Sequence, residues 1–102
     1  MDQSTTIEVV KEYIHHLREN KFVIQRAYLF GSYAAGKQRD DSDIDLALIM
    51  NDMSNRFITQ VELMKISRKF DTRIEPHPFS EADFDTTNPF ASEILRKGIQ
   101  IA

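Results

Sequence analysis

A Gly31-Ser32 pair closes an apolar run, and ten residues separate Ser32 from Asp43, the first acid of an Asp-Ile-Asp triplet. In a strand, residues two apart share a face. Asp43 and Asp45 therefore aim two carboxylates into one small volume, while Ile44 and Leu46 turn into the core. Carboxylates that close repel unless a cation lies between them. Mg²⁺ is the hard, oxygen-preferring cation that does this beside phosphates. Gly31 permits a sharp turn and puts no side chain in a ligand's path. Ser32 adds a hydroxyl at a short helix start, where free N–H groups suit phosphate. A phosphate cradle beside a carboxylate pair is equipment for metal-assisted phosphoryl or nucleotidyl transfer.

The elements that must hold these groups follow from the pattern. Residues 5–20 predict a helix, with Ile7, Val10, Ile14 and Leu17 on one stripe. His15 and His16 are adjacent, point apart, and read as surface or boundary residues. Residues 22–30 predict a strand with Ile24, Tyr28 and Phe30 on one face and Ala27 and Leu29 on the other. A short helical turn over 32–38 ends near Gly36, and Asp40 and Asp41 read as exposed loop acids. Residues 44–50 predict a second strand, with the carboxylates at its start and apolar side chains on both faces beyond. Asp52 and Ser54 mark the start of a helix over 56–70, whose apolar face is read as Phe57, Val61 and Met64, with Leu63, Ile66 and Phe70. Residues 72–78 predict a third strand. Pro76 and Pro78 cannot donate to a ladder and so place it at an edge. Ser80 and Asp83 resemble a capping box. Asn88-Pro89 opens a last helix with Phe90, Ile94 and Leu95 on its apolar side, stopped by Gly98 with Ile99 in a Schellman end.

The totals bound the rest. At 102 residues the chain suits one domain, 1–102. It has no cysteine, so disulfides and thiolate metal sites are excluded, in keeping with a reducing, cytoplasmic setting. No apolar run reaches a membrane span and no signal peptide is read. The net charge is −3 with no basic run, which speaks against a grip on long nucleic acid.

Gly-Ser, ten residues, Asp-x-Asp resembles the signature of the DNA polymerase β-like nucleotidyltransferases. At this length the chain resembles the minimal members, which include antitoxins paired with HEPN-domain toxins. The likeness is densest over residues 27–49. It implies an α/β (α+β) fold, a small mixed sheet with helices packed on it in a palm-like core. It implies Mg²⁺-dependent transfer of a nucleoside monophosphate, AMP from ATP or another NTP, to a hydroxyl acceptor. Two Mg²⁺ ions would be held by Asp43, Asp45 and a third acid matched to Glu75, the three together being the catalytic residues. Gly31 and Ser32 would hold phosphates. The family's basic residue in the turn is replaced by Ala35, and Tyr33 fills another commonly basic place. Lys37 or Arg39 then either reaches the triphosphate or is a solvated loop charge. Asp71 competes with Glu75 but reads as a turn residue. His77 shares Glu75's face, as an edge histidine or a group near the site. The implied partner and acceptor is a HEPN-type toxin, modified on a tyrosine. Two other readings stand beside this one: a non-catalytic antitoxin or binding module, and a nucleotidyltransferase acting on a small molecule or RNA end.

Overall fold

Two apolar strands, each a run of residues that packs on both faces, form the middle of the sheet. They are β1 (Ile24–Phe30) and β2 (Ile44–Met50), paired antiparallel. The computed structural model describes residues 3–39, 41–51 and 53–102. β3 (Ile74–Ser80) runs parallel to β2 at one edge, and β4 (Ile99–Gln100) runs antiparallel to β1 at the other, giving the order β3-β2-β1-β4. The helices are α1 (Gln3–Glu19), α2 (Ser32–Ala35), α3 (Arg56–Ser67) and α4 (Pro89–Lys97), with a 3-10 turn at Glu81–Asp83. Among the described residues, no helix is long and apolar enough to cross a membrane.

The sheet separates two apolar layers. On one face Val10, Tyr13, Ile14 and Leu17 of α1 and Leu63 of α3 pack against Ala27, Leu29, Ile44, Leu46 and Leu48. On the other, Ala91 and Ile94 of α4 and Phe84 cover Tyr28, Ala47, Ile49 and Phe79. The even-odd division expected of β2 is the one observed: Ile44, Leu46, Leu48 and Met50 face α1, and Ala47 and Ile49 face α4.

Several details depart from the pattern reading. In β1 the register shifts between Ile24 and Arg26, so a bulge inverts the alternation there. Ile24 therefore joins Ala27 and Leu29 on the α1 side instead of Tyr28 and Phe30. In α3 the inward stripe is Leu63 and Ser67, with Ile66 partly buried, whereas Phe57 is 73% exposed, Ile58 55% and Val61 37%. Apolar side chains surround most of this helix, so periodicity alone does not choose the buried stripe. The cap of α3 is Asn55, whose side chain accepts from the Ile58 N–H, while Asp52 and Asp40 lie outside the described residues. Ser80 Oγ donates to the Asp83 carboxylate instead of capping a backbone N–H. Gly98 ends α4 in an extended conformation (φ −75°) in place of a Schellman turn. It is required for space, since a Cβ there would lie 2.5 Å from the Ile94 carbonyl oxygen. The edge placement of β3 holds, and its two prolines are buried.

Candidate active site

The residues of the site come from the ends of three neighbouring strands. Across the sheet, Phe30 of β1 is the register partner of Asp45, and Asp45 is the partner of Glu75. Two residues further along β2 and β3, on the same face, Ala47 pairs with His77. The small side chain of Ala47 leaves room for the imidazole. His77 Nε2 lies 3.4 Å from Asp45 Oδ1, and its ring packs 5.2 Å from that of Phe30. Asp45, Glu75 and His77 are all half-buried, and each offers a ligand atom within 4.8 Å of the others. Two adjacent carboxylates supply the oxygens a divalent cation binds, and the imidazole adds a nitrogen. The donor set therefore fits a divalent metal ion.

Gly31 completes one wall. It has φ 74° and ψ −149°, a region open essentially only to glycine. A Cβ placed on it would overlap Asp45 Oδ2. Asp45 is thus held between Gly31 at one carboxylate oxygen and His77 at the other. The chain then turns into α2 with no side-chain cap, and Gly36 closes that turn in the left-handed region at φ 72°.

Ser32 is half-buried at the first position of α2. Asp43 is exposed in the turn ahead of β2 and is not part of the Asp45–Glu75–His77 group. Lys37 and Arg39 are both exposed beyond Gly36, and the Arg39 N–H donates to Ser42 Oγ at 2.8 Å. Tyr33 is fully buried, so this position serves the core; Arg73 Nη1 donates to its hydroxyl at 3.3 Å. Asp71 opens the turn into β3, its carbonyl accepting from the Ile74 N–H, and Arg73 donates to its carboxylate through Nε at 3.0 Å and Nη2 at 2.7 Å. Those side-chain hydrogen bonds hold its carboxyl below the usual range, against a smaller opposing effect of burial. His15 is exposed, and His16 packs its ring 5.3 Å from Phe70.

Beside Gly31 lies a cavity of about 470 Å³, lined mainly by Phe30, Ala34, Ala35, Phe90 and Ile94. Ala35 thus contributes apolar wall at the position where the resemblance implies a cation. Lys97, at the end of α4, also lines this cavity, with Nζ 2.9 Å from Glu93. Nothing local to Lys97 announces this. The pairing of β4 with β1 brings the end of α4 to Gly31, and a strand of two residues leaves almost no sequence signal.

Comparison with known proteins identifies the family. The family model described as "Polymerase beta, Nucleotidyltransferase" matches residues 12–102. The chain belongs to that family and is a nucleotidyltransferase. It is 28% identical, over 93% of its length and 97% of the relative's, to a Methanocaldococcus jannaschii protein that bears the provisional name protein adenylyltransferase. It superposes with TM-score 0.66 and 26% identity on a chain of a toxin–antitoxin complex crystallised with AMP-PNP, covering 100% of this chain and 73% of that one. A third likeness is to a complex of tri-AMPylated Shewanella oneidensis HEPN toxin with MNT antitoxin, at TM-score 0.63 and 24% identity, covering 98% of this chain and 71% of that one. At that identity the likeness bears on the fold alone.

Proposed function

We propose that the chain, as a single domain over residues 1–102, transfers AMP from ATP to a tyrosine hydroxyl of a HEPN-type toxin and thereby silences it. The observation that carries this is the register pairing of Asp45 with Glu75 beside the Gly31 bend. The similarity to a protein named as an adenylyltransferase, and to a toxin–antitoxin complex with AMP-PNP, supports the choice of nucleotide and partner. Asp45 and Glu75, joined by Asp43 from the exposed segment two residues ahead, would hold two Mg²⁺ ions, which when bound would lower the pKa of the acceptor hydroxyl and neutralise charge on the triphosphate. Gly31 and Ser32 line the bend against which the β- and γ-phosphates rest. Lys37 and Arg39, exposed just past that bend, supply positive charge to the phosphates. Glu75 takes up the proton of the attacking hydroxyl as the tyrosine oxygen bonds to the α-phosphorus, and the bond from that phosphorus to the β-phosphate oxygen breaks, releasing pyrophosphate. Positioning and charge neutralisation then do most of the work, as in phosphoryl transfers generally. Were the toxin one that acts on RNA, an added nucleotide would place bulk and negative charge where RNA phosphates dock. A reaction drawing on ATP and such a partner belongs in the cytoplasm.

Ala35 on an apolar cavity wall favours a second reading, a module that neutralises its partner by contact alone. The test is to assay neutralisation of the partner by the Asp43→Asn/Asp45→Asn double variant. Loss of neutralisation by a folded, still-bound variant supports transfer. Full neutralisation of an unmodified partner supports the contact reading.

A further inference from the structure

His77 stands where a third ligand to a cation held by Asp45 and Glu75 would stand. Its Nε2 is 3.4 Å from Asp45 Oδ1, and the three residues' ligand atoms lie within 4.8 Å of one another. Two atoms each about 2.1 Å from one ion are about 3.0 to 3.4 Å apart when they subtend a right or tetrahedral angle. The ring also packs among aromatic side chains, 5.2 Å from Phe30 and 6.4 Å from Phe90, which themselves meet edge-on at 5.6 Å. Such aromatic packing fixes the ring plane, and Ala47 beneath leaves the ring free to lie back toward Asp45.

We infer that His77 is a nitrogen ligand in this site, and that the position it shares with Asp45 and Glu75, while able to work with Mg²⁺, binds Mn²⁺ more tightly. The inference rests on the reading above that Asp45 and Glu75 hold a metal. The physical reason is ligand type. Mg²⁺ dehydrates reluctantly and holds to oxygen donors; Mn²⁺ shares its liking for carboxylates but, as a first-row transition ion, accepts an imidazole nitrogen more readily than Mg²⁺ does. A site with two carboxylates and an imidazole discriminates between them more than an all-carboxylate site does.

The test is pulsed EPR on the whole protein loaded with Mn²⁺ and no nucleotide, with Mn²⁺ and Mg²⁺ affinities measured by titration. The expected result is a ¹⁴N coupling of a directly bound imidazole, absent in His77→Gln. The same variant should weaken Mn²⁺ binding by at least about tenfold, the lower end of the loss seen when even an outer-shell partner of a metal ligand is removed, and leave Mg²⁺ binding nearly unchanged. Affinity alone does not decide, because a histidine that only hydrogen-bonds Asp45 also supports the metal; the nitrogen coupling does decide. Bound Mn²⁺ with no such coupling, or a coupling that persists in His77→Gln, overturns the inference and leaves the carboxylate metal site standing. No Mn²⁺ bound to the folded wild type overturns both.

Discussion

Asp45 Oδ2 occupies the space into which a Cβ on Gly31 would project. The bend after β1 and the carboxylate at the start of β2 are therefore one unit, although fourteen positions separate them in the chain. Gly31→Ala should cost about 1–3 kcal/mol of stability, because φ 74° with ψ −149° is strained for any side chain. It should also swing the Asp45 carboxylate away from its position. Chemical denaturation measures the first effect, and nucleotidyl transfer by the folded variant measures the second. A variant with wild-type stability and wild-type transfer would show that the two residues are not coupled.

The buried stripe of α3 gives a sharp contrast. Leu63 is fully buried and Phe57 is 73% exposed. Leu63→Ala should destabilise by about 2–5 kcal/mol, whereas Phe57→Ser should stay within about 0.5 kcal/mol of the parent. Urea midpoints of the two variants check this directly, and the reverse order would mean that α3 is rotated from the orientation described.

Tyr13 lies fully buried between α1 and α3, and its hydroxyl donates to the Leu63 carbonyl at 2.7 Å. Burial pushes the phenol well above its ordinary pKa, so it stays protonated and able to donate across the physiological range. Tyr13→Phe should cost about 0.5–1.5 kcal/mol with no change in fold. Circular dichroism and a denaturation curve test it, and an unchanged midpoint would show that the bond contributes nothing.

Asp71 supplies a pH dependence. Its folded pKa lies below the ordinary value because of Arg73. Over that interval the unfolded chain binds the proton more readily, so the pair's contribution is complete above the ordinary carboxylate range. It is lost as the pH falls through the folded value. Asp71→Asn should lower stability near neutrality and flatten the acid limb below about pH 4. Denaturation midpoints across that range provide the check; an acid limb as steep as the parent's would assign the dependence to other carboxylates.

Much of this architecture is legible in the residues. The alternation of β2 is strict because each side chain meets a separate apolar layer, so Asp45, Ala47 and Ile49 declare one face and Ile44, Leu46 and Leu48 the other. Pro76 and Pro78 mark β3 as an edge strand. Other features depend on long-range contacts that leave no local trace. The bulge near Ile24 inverts a face without any glycine to mark it. The choice of Leu63 over Phe57 is made by what α3 packs against. The approach of His77 to Asp45 needs the parallel register of β2 and β3 together with the small side chain of Ala47, and none of these is visible from His77 alone.

The most direct test of the central claim is the intact mass of the HEPN-type partner after incubation with Mg²⁺, ATP and this protein, wild type beside Asp45→Asn and Glu75→Gln. The account predicts one or more AMP-sized increments with wild type and none, or at most a small fraction of the wild-type yield, with either folded variant. An unmodified partner with wild type, or full modification by both variants, would contradict it.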